Sequence, residues 1–295
     1  MVESINKKEN IFNDNIAFIE QWDFSRANLN EQNRINAITQ VASICYQNPK
    51  ALNSESLYNR LLAESQGLPS SSFEFVPVLI PRKNLILYTL DRLMDVDKLN
   101  MVKFGEYIIH KGTEYLLTNF RAVVYDYENS LNNCFDLRKH FNTEEECKII
   151  AKHFKVFNYK VDLPTRSQMV RHRVSWQELS RRYVSGERVP FEFYVSEKMK
   201  NVISVNDIVG SDEEFSTQKV IDICLTHYYA SLESGTKPQE ARRIIPQCAY
   251  TQIWGAFMPS QLDNYMKLRL DSHSQWEIQQ TAKAMQELIK EINEK

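Results

Sequence analysis

Glycine is scarce, with seven in 295 residues and none in a G-x-G-x-x-G or P-loop arrangement. A nucleotide bound here must therefore be held by side chains and not by a glycine turn against its phosphates. The cysteines, Cys45, Cys134, Cys147, Cys224 and Cys248, are odd in number and scattered, with no C-x-x-C pair. That argues against a zinc cluster or a disulfide frame and suits a reducing cytoplasm. Net charge is low as well: 36 basic against 38 acidic residues leave −2, without the basic excess of a general nucleic-acid binder. Any anion binding must be local. No apolar run approaches a membrane span, and Met1 to Asn15 is polar, with no signal-peptide core. His110, His140 and His153 lack ligand spacing, and no metal is expected.

What the chain does have is a knot of arginines. From Gln168 to Tyr183 lie Arg171, Arg173, Arg181 and Arg182, with His172, Glu178 and Ser180 among them. So many cations repel one another unless an anion sits between them, and the guanidinium fork suits phosphate and carboxylate. The plain alternative is a solvated basic face. Against it, Met169, Val170, Val174, Trp176 and Leu179 are threaded between the charges, a pattern that holds a charged surface against a core.

Periodicity supplies the elements. Residues 1–30 read as a polar lead-in. Helical spacing appears at 33–46 and 54–65, and again at 276–292, where Trp276, Ile278, Ala282, Met285, Ile289 and Ile292 make an amphipathic stripe. A helix is expected at 213–233, with Val220, Ile223, Cys224, His227 and Leu232 near one packed face. Residues 73–79, 106–110 and 156–163 alternate like strands. Thr143 and Glu146 have capping-box spacing. Pro164 is placed to open a helix carrying Gln168 and Arg171 on one face. Cys45 reads as a small core residue.

The arginine stretch resembles the signature of the flavin-dependent thymidylate synthases. Arg171-His172-Arg173 is followed by Glu178-Leu179-Ser180-Arg181-Arg182-Tyr183, like the family's Glu-x-Ser-x-Arg-Tyr, with six residues and not seven between Arg173 and Ser180. In a helix that deletion turns the downstream side chains by roughly 100°, whereas a loop absorbs it. Further matches follow in the family's order: residues 190–195, the stretch Gly235 to Pro246 with Arg242, and Leu268-Arg269-Leu-Asp271 running on to Gln280. Ser71 aligns with a flavin-contacting threonine. Met258 and Ser260 stand where the family has Asn and Arg. Residues 76–155 have no counterpart.

The resemblance implies an α+β fold, mainly helical with a small, largely antiparallel sheet. It divides the chain into an extension (1–32) and one catalytic domain (33–295) interrupted by an insertion at about 76–155. It implies reductive methylation of dUMP to dTMP by a homotetramer with shared sites, using FAD, NAD(P)H and methylenetetrahydrofolate. Arg269 is then the catalytic residue. The dUMP contacts are Gln168, Arg171, Glu178, Ser180, Arg181, Arg182, Arg242 and Arg269. The FAD contacts are Ser71, Arg171, His172, Arg173, Glu178, Asn264 and His273. Ser180 binds ligand and is not a nucleophile, because no base–carboxylate pair accompanies it; Cys248 reads as core. Two competing readings use the same arginines: a non-enzymatic nucleotide- or RNA-binding protein, and a related flavoenzyme that methylates uracil in RNA.

Overall fold

Two strands, Lys155–Asp162 and Tyr250–Phe257, pair antiparallel over eight residues, from Tyr250 opposite Asp162 to Phe257 opposite Lys155. Both are buried almost throughout, polar Lys155, Asn158 and Asp162 included, because the sheet they centre is covered on both faces. Even positions (Val156, Trp254, Ala256) enter one core and odd positions (Phe157, Tyr159, Ile253, Phe257) the other, as the period of two requires.

The computed structural model describes residues 5–13, 16–63, 68–92, 95–128, 136–205 and 214–294; Cys134 lies outside them. In chain order the elements are β1 (Ile5–Glu9), β2 (Phe18–Trp22), α1 (Glu31–Ser43), α2 (Glu55–Leu62), β3 (Pro77–Pro81), α3 (Arg82–Arg92), α4 (Asn100–Lys103), β4 (Glu106–His110), β5 (Thr113–Asn119), α5 (Phe120–Glu128) and α6 (Glu144–His153). There follow β6 (Lys155–Asp162), α7 (Leu163–Met169), β7 (Ser175–Glu178), α8 (Glu197–Lys200), β8 (Ile203–Val205), β9 (Glu214–Ser216), α9 (Thr217–Glu233), α10 (Pro238–Ala241), β10 (Tyr250–Phe257), α11 (Pro259–Arg269) and α12 (Trp276–Asn293). Helix predominates. The sheets run β1-β2-β6-β10-β7, β3-β5-β4 and β8-β9, with every pairing antiparallel. This is the α+β architecture expected.

Residues 5–22, read from sequence as a lead-in, supply two strands of the main sheet: β2 lies against β6, with Ile19 opposite Tyr159. Residues 76–155 share a core with that sheet, since Val78, Leu116, Val123 and Ile150 belong to the same apolar cluster as Trp22, Trp254 and Met258. Within this segment Asp126 is 3% exposed and accepts from the backbone N–H groups of Asn100 (2.9 Å) and Met101 (2.8 Å) at the start of α4. The capping box of α6 forms as expected from Thr143 and Glu146. Helix α9 departs from expectation. Val220, Ile223 and His227 are exposed, while Ile221 and Tyr228 are buried, so a single chain buries a different stripe from the one the periodicity selected. Among the described residues no helix is long and apolar enough to cross a membrane.

Lys155 is 1% exposed, and its ammonium donates to the carbonyl of Ala151. Burial pushes its pKa down from 10.5 to about 8, with Asp23 opposing. Between those values the unfolded chain holds a proton that the folded chain has released, so stability rises with pH. We expect the unfolding free energy to gain on the order of 3 kcal/mol between pH 8 and 10.5. In Lys155→Met, denaturant titrations at both ends of that window should show the gain missing.

Candidate active site

The signature begins where β6 ends. Asp162 caps α7 by accepting from Thr165 N–H (3.3 Å), and Pro164 sits in the first turn. The helix stops at Met169, so Arg171 is not on its face beside Gln168 as the spacing suggested. Arg171 to Val174 instead form a tight turn leading into β7. The short Arg173–Ser180 spacing is therefore carried by turn and strand, and no helical rotation follows from it. Strand β7 pairs with β10, with Trp176 opposite Gly255. A Cβ on Gly255 would lie 2.5 Å from the Trp176 ring, so glycine is what allows the indole to lie flat across β10. Trp176 Nε1 then donates to the carbonyl of His172 (3.1 Å) and pins the turn.

Arg269, the last residue of α11, reaches into that turn. Its Nη2 donates to the Gln168 carbonyl (3.0 Å) and its Nε to His172 Nε2 (2.8 Å). Gln168 in turn donates to Gln275 Oε1 (2.6 Å). A salt bridge from Arg269 to Asp271 does not form: Asp271 binds His273 Nδ1 at 2.9 Å. His172 is buried, its ring 4.7 Å from that of Tyr265, one helical turn before Arg269. Accepting from Arg269 requires a neutral imidazole with its proton on Nδ1. Burial, and then the adjacent guanidinium, hold its pKa below the ordinary 6.5. The folded state thus binds the proton less well than the unfolded chain, and this contact's stability is present at neutral pH and lost on acidification. In an NMR titration His172 should titrate below 6.5, and Arg269→Ala should move it upward.

A cavity of 420 Å³ opens beside this contact, lined by Arg171, His172, Arg173, Asn264, Leu268 and Arg269 among others, with no carboxylate in its wall. Arg171 and Arg173 are exposed and form no ion pair among the described residues. Gln261 Nε2 donates to the Arg173 carbonyl (2.9 Å), fixing the turn from the other side. Uncompensated guanidinium groups around an acid-free wall suit an anionic ligand, and a flavin dinucleotide fits that chemistry.

The remaining predicted residues gather at the far end of β7. Glu178 forms an ion pair with Arg166 (3.0 Å) and accepts from Thr251 Oγ1 (2.9 Å). Burial raises its pKa despite Arg166 and Arg242. Arg181 is turned onto its own loop, donating to the carbonyls of Val189 and Pro190 with its guanidinium 4.1 Å from the Phe191 ring. Arg182 meets Gln239 (3.3 Å), and Arg242 is exposed just after α10. The Ser180 backbone N–H donates to Cys45 (3.2 Å). Ser71 donates to Gln177 Oε1 (3.0 Å) and so touches the signature strand, whereas exposed His273 does not line the 420 Å³ cavity. Cys248 is half-buried, and burial raises its pKa, which keeps it a thiol.

Several neighbours were not singled out from sequence. Gln177 Nε2 lies 2.9 Å from Cys45 Sγ, Ser175 donates to Glu74 (2.5 Å), and Glu74 pairs with Arg121 (2.6 Å). These contacts join residues 132, 101 and 47 positions apart in the chain, and no local spacing announces them.

Residues 150–293 match the family described as thymidylate synthase complementing protein, Thy1. Two curated relatives bear the name flavin-dependent thymidylate synthase. That of Thermosipho africanus is 34% identical over 148 residues, covering 46% of this chain and 64% of that protein. That of Thermotoga neapolitana is 32% identical over 139 residues, covering 46% and 62%. The chain thus spans less than two thirds of either. A crystal structure described as a UMP/dUMP methylase from Streptomyces cacaoi aligns over 47% of this chain and 66% of that one, at 21% identity and a TM-score of 0.38.

Proposed function

We propose, given that the chain belongs through residues 150–293 to the flavin-dependent thymidylate synthase family, that it methylates dUMP to dTMP, taking the carbon from methylenetetrahydrofolate and the electrons from NAD(P)H. The observation that carries this reading is Arg269, held by the Gln168 carbonyl and His172 at the mouth of an acid-free cavity. Methylation at C5 of uracil needs that carbon made electron-rich. A cation fixed in advance against the O2/N3 edge stabilises the negative charge that develops there, without reorganising during the reaction. Arg269 has the required anchoring, and neutral His172 adds no competing charge. Gln168 orients the guanidinium.

Arg171, His172, Arg173 and Asn264 would hold FAD, with Ser71, Glu178 and His273 completing its contacts; bound there, the flavin would supply the hydride that reduces the transferred carbon. Ser180, Arg181, Arg182 and Arg242, with Glu178, would hold the nucleotide's phosphate and sugar. In this reading residues 33–295 are the catalytic domain, with 76–155 inserted and 1–32 an extension, and the enzyme works in the cytoplasm. It works as a homotetramer whose sites draw on more than one subunit. The division of the predicted contacts between the two ends of β7, and the exposed Val220 and Ile223 on α9, support that assembly.

The test is the visible spectrum of the purified protein, before and after dUMP and NADPH are added without oxygen. A bound flavin band that bleaches with NADPH, together with dTMP formed once methylenetetrahydrofolate is present, is the expected result. A colourless protein that cannot be reconstituted with FAD overturns the reading.

A further inference from the structure

The acid-free cavity does not end at Arg173. A second cavity of 760 Å³ shares Arg173, Val174, Ser260 and Gln261 with it. One wall of this second space is the signature turn, β10 and the start of α11. The other is built by residues 100–125, including Lys103, Phe104, Glu106, Arg121 and Tyr125. Two contacts lock the walls together. Glu106 accepts from the backbone N–H of Ser260 (3.1 Å) at the first turn of α11. Arg121 donates to the Pro69 carbonyl (2.9 Å) and to Glu74, which itself accepts from Ser175.

The charges of this cavity are not balanced alike. Arg121 and Glu74 neutralise each other. Lys103 and Arg173, one on each wall, are exposed and form no ion pair among the described residues. Glu106 is the carboxylate left, and it already occupies the positive end of α11. Phe104 is 62% exposed and Tyr125 36%, and both aromatic residues line the same opening. Flat rings beside two uncompensated cations suit a ligand that joins a heteroaromatic ring to phosphate.

We propose that residues 100–125 form the outer wall of the flavin dinucleotide site, with Lys103 and Arg173 taking its phosphates and Glu106 opposing them. The proposal rests on the flavin reading above and assigns the site residues that the arginine signature does not contain. It also gives the inserted segment a binding role: the chain builds half of its cofactor pocket from residues 100–125.

The test measures FAD binding to the full-length apoprotein by quenching of flavin fluorescence, with no turnover required. Lys103→Glu should weaken FAD by on the order of tenfold, because it reverses a charge facing phosphate. Lys103→Arg should bind as the wild type does. Glu106→Gln keeps an acceptor for Ser260 and removes the opposing charge, so it should tighten FAD severalfold. Lys283→Glu, the same charge reversal on α12, should change nothing. Opposite shifts from Lys103→Glu and Glu106→Gln cannot both come from a damaged fold, and unchanged thermal unfolding would confirm that. If the wild type binds FAD and Lys103→Glu binds it equally well, the proposed wall is wrong while the flavin reading stands. If the wild type binds no flavin, both fall together.

Discussion

Arg269→Ala is expected to lower dTMP formation by about 10²- to 10³-fold, the usual loss when one preorganised electrostatic partner is removed. The flavin should stay largely bound, because Arg171, Arg173 and Asn264 remain in the cavity wall. Arg269→Lys should not rescue the rate. The guanidinium uses Nε for His172 and Nη2 for the Gln168 carbonyl, and an ammonium, a single point donor, cannot hold both while presenting an edge to uracil. Asp271→Asn serves as the contrast: Asp271 engages His273 at an exposed site, so that variant should keep most of its rate. Single-turnover measurements at saturating dUMP separate the chemical step from binding. A variant without Arg269 that retains a tenth or more of the wild-type rate would overturn the catalytic role proposed for Arg269.

Gly255→Ala should cost about 1–3 kcal/mol, the range for overfilling a packed core. The new methyl would meet Trp176 at 2.5 Å, and the ring cannot retreat freely, because it packs edge-on against Phe257 at 5.6 Å. Displacing the indole also strains its bond to the His172 carbonyl, so the turn bearing Arg171 and Arg173 should loosen and flavin affinity should fall along with stability. Pairing Gly255→Ala with Trp176→Leu relieves the clash without restoring the indole bond. The double variant should therefore regain stability by denaturant titration yet still bind flavin poorly, a non-additivity expected only of residues in contact. Full recovery of both properties would show that Trp176 does not position the turn.

Much of this site was legible in the sequence because it is carried by short motifs. The arginine signature and the Leu268 to Asp271 stretch meet in space, and Arg269 does contact Gln168 and His172. Strand β6, the cap of α6 and helix α12 follow from period and capping chemistry, which are local. Other features were not local. Gln168 and Arg171 have helical spacing, yet Arg171 lies in a turn, and the Trp176 bond that pins that turn depends on a glycine some eighty residues later. On α9 the periodicity selects Val220 and Ile223, whereas among the described residues it is Ile221 and Tyr228 that pack inward. The roles of Glu74, Glu106 and Arg121 rest on pairings between segments that no spacing connects.

The order of strands in the main sheet has a consequence for how the chain acquires its structure. Strand β2 must find β6 about 140 residues away, and β6 in turn needs β10, about 95 residues further on. By contrast, β3, β4 and β5 come from one short stretch. Long-range pairings close late, because the entropy of the intervening loop is lost before any contact repays it. During synthesis the small sheet can form while β2, paired with nearby β1 along one edge, still waits with its other edge open, and the arginine turn gains its backing strand only when β10 emerges. We expect refolding to show an early phase in the segment 77–128 and a slow phase, reported by burial of Trp22 and Trp254, in which the sheet and the candidate site are completed together.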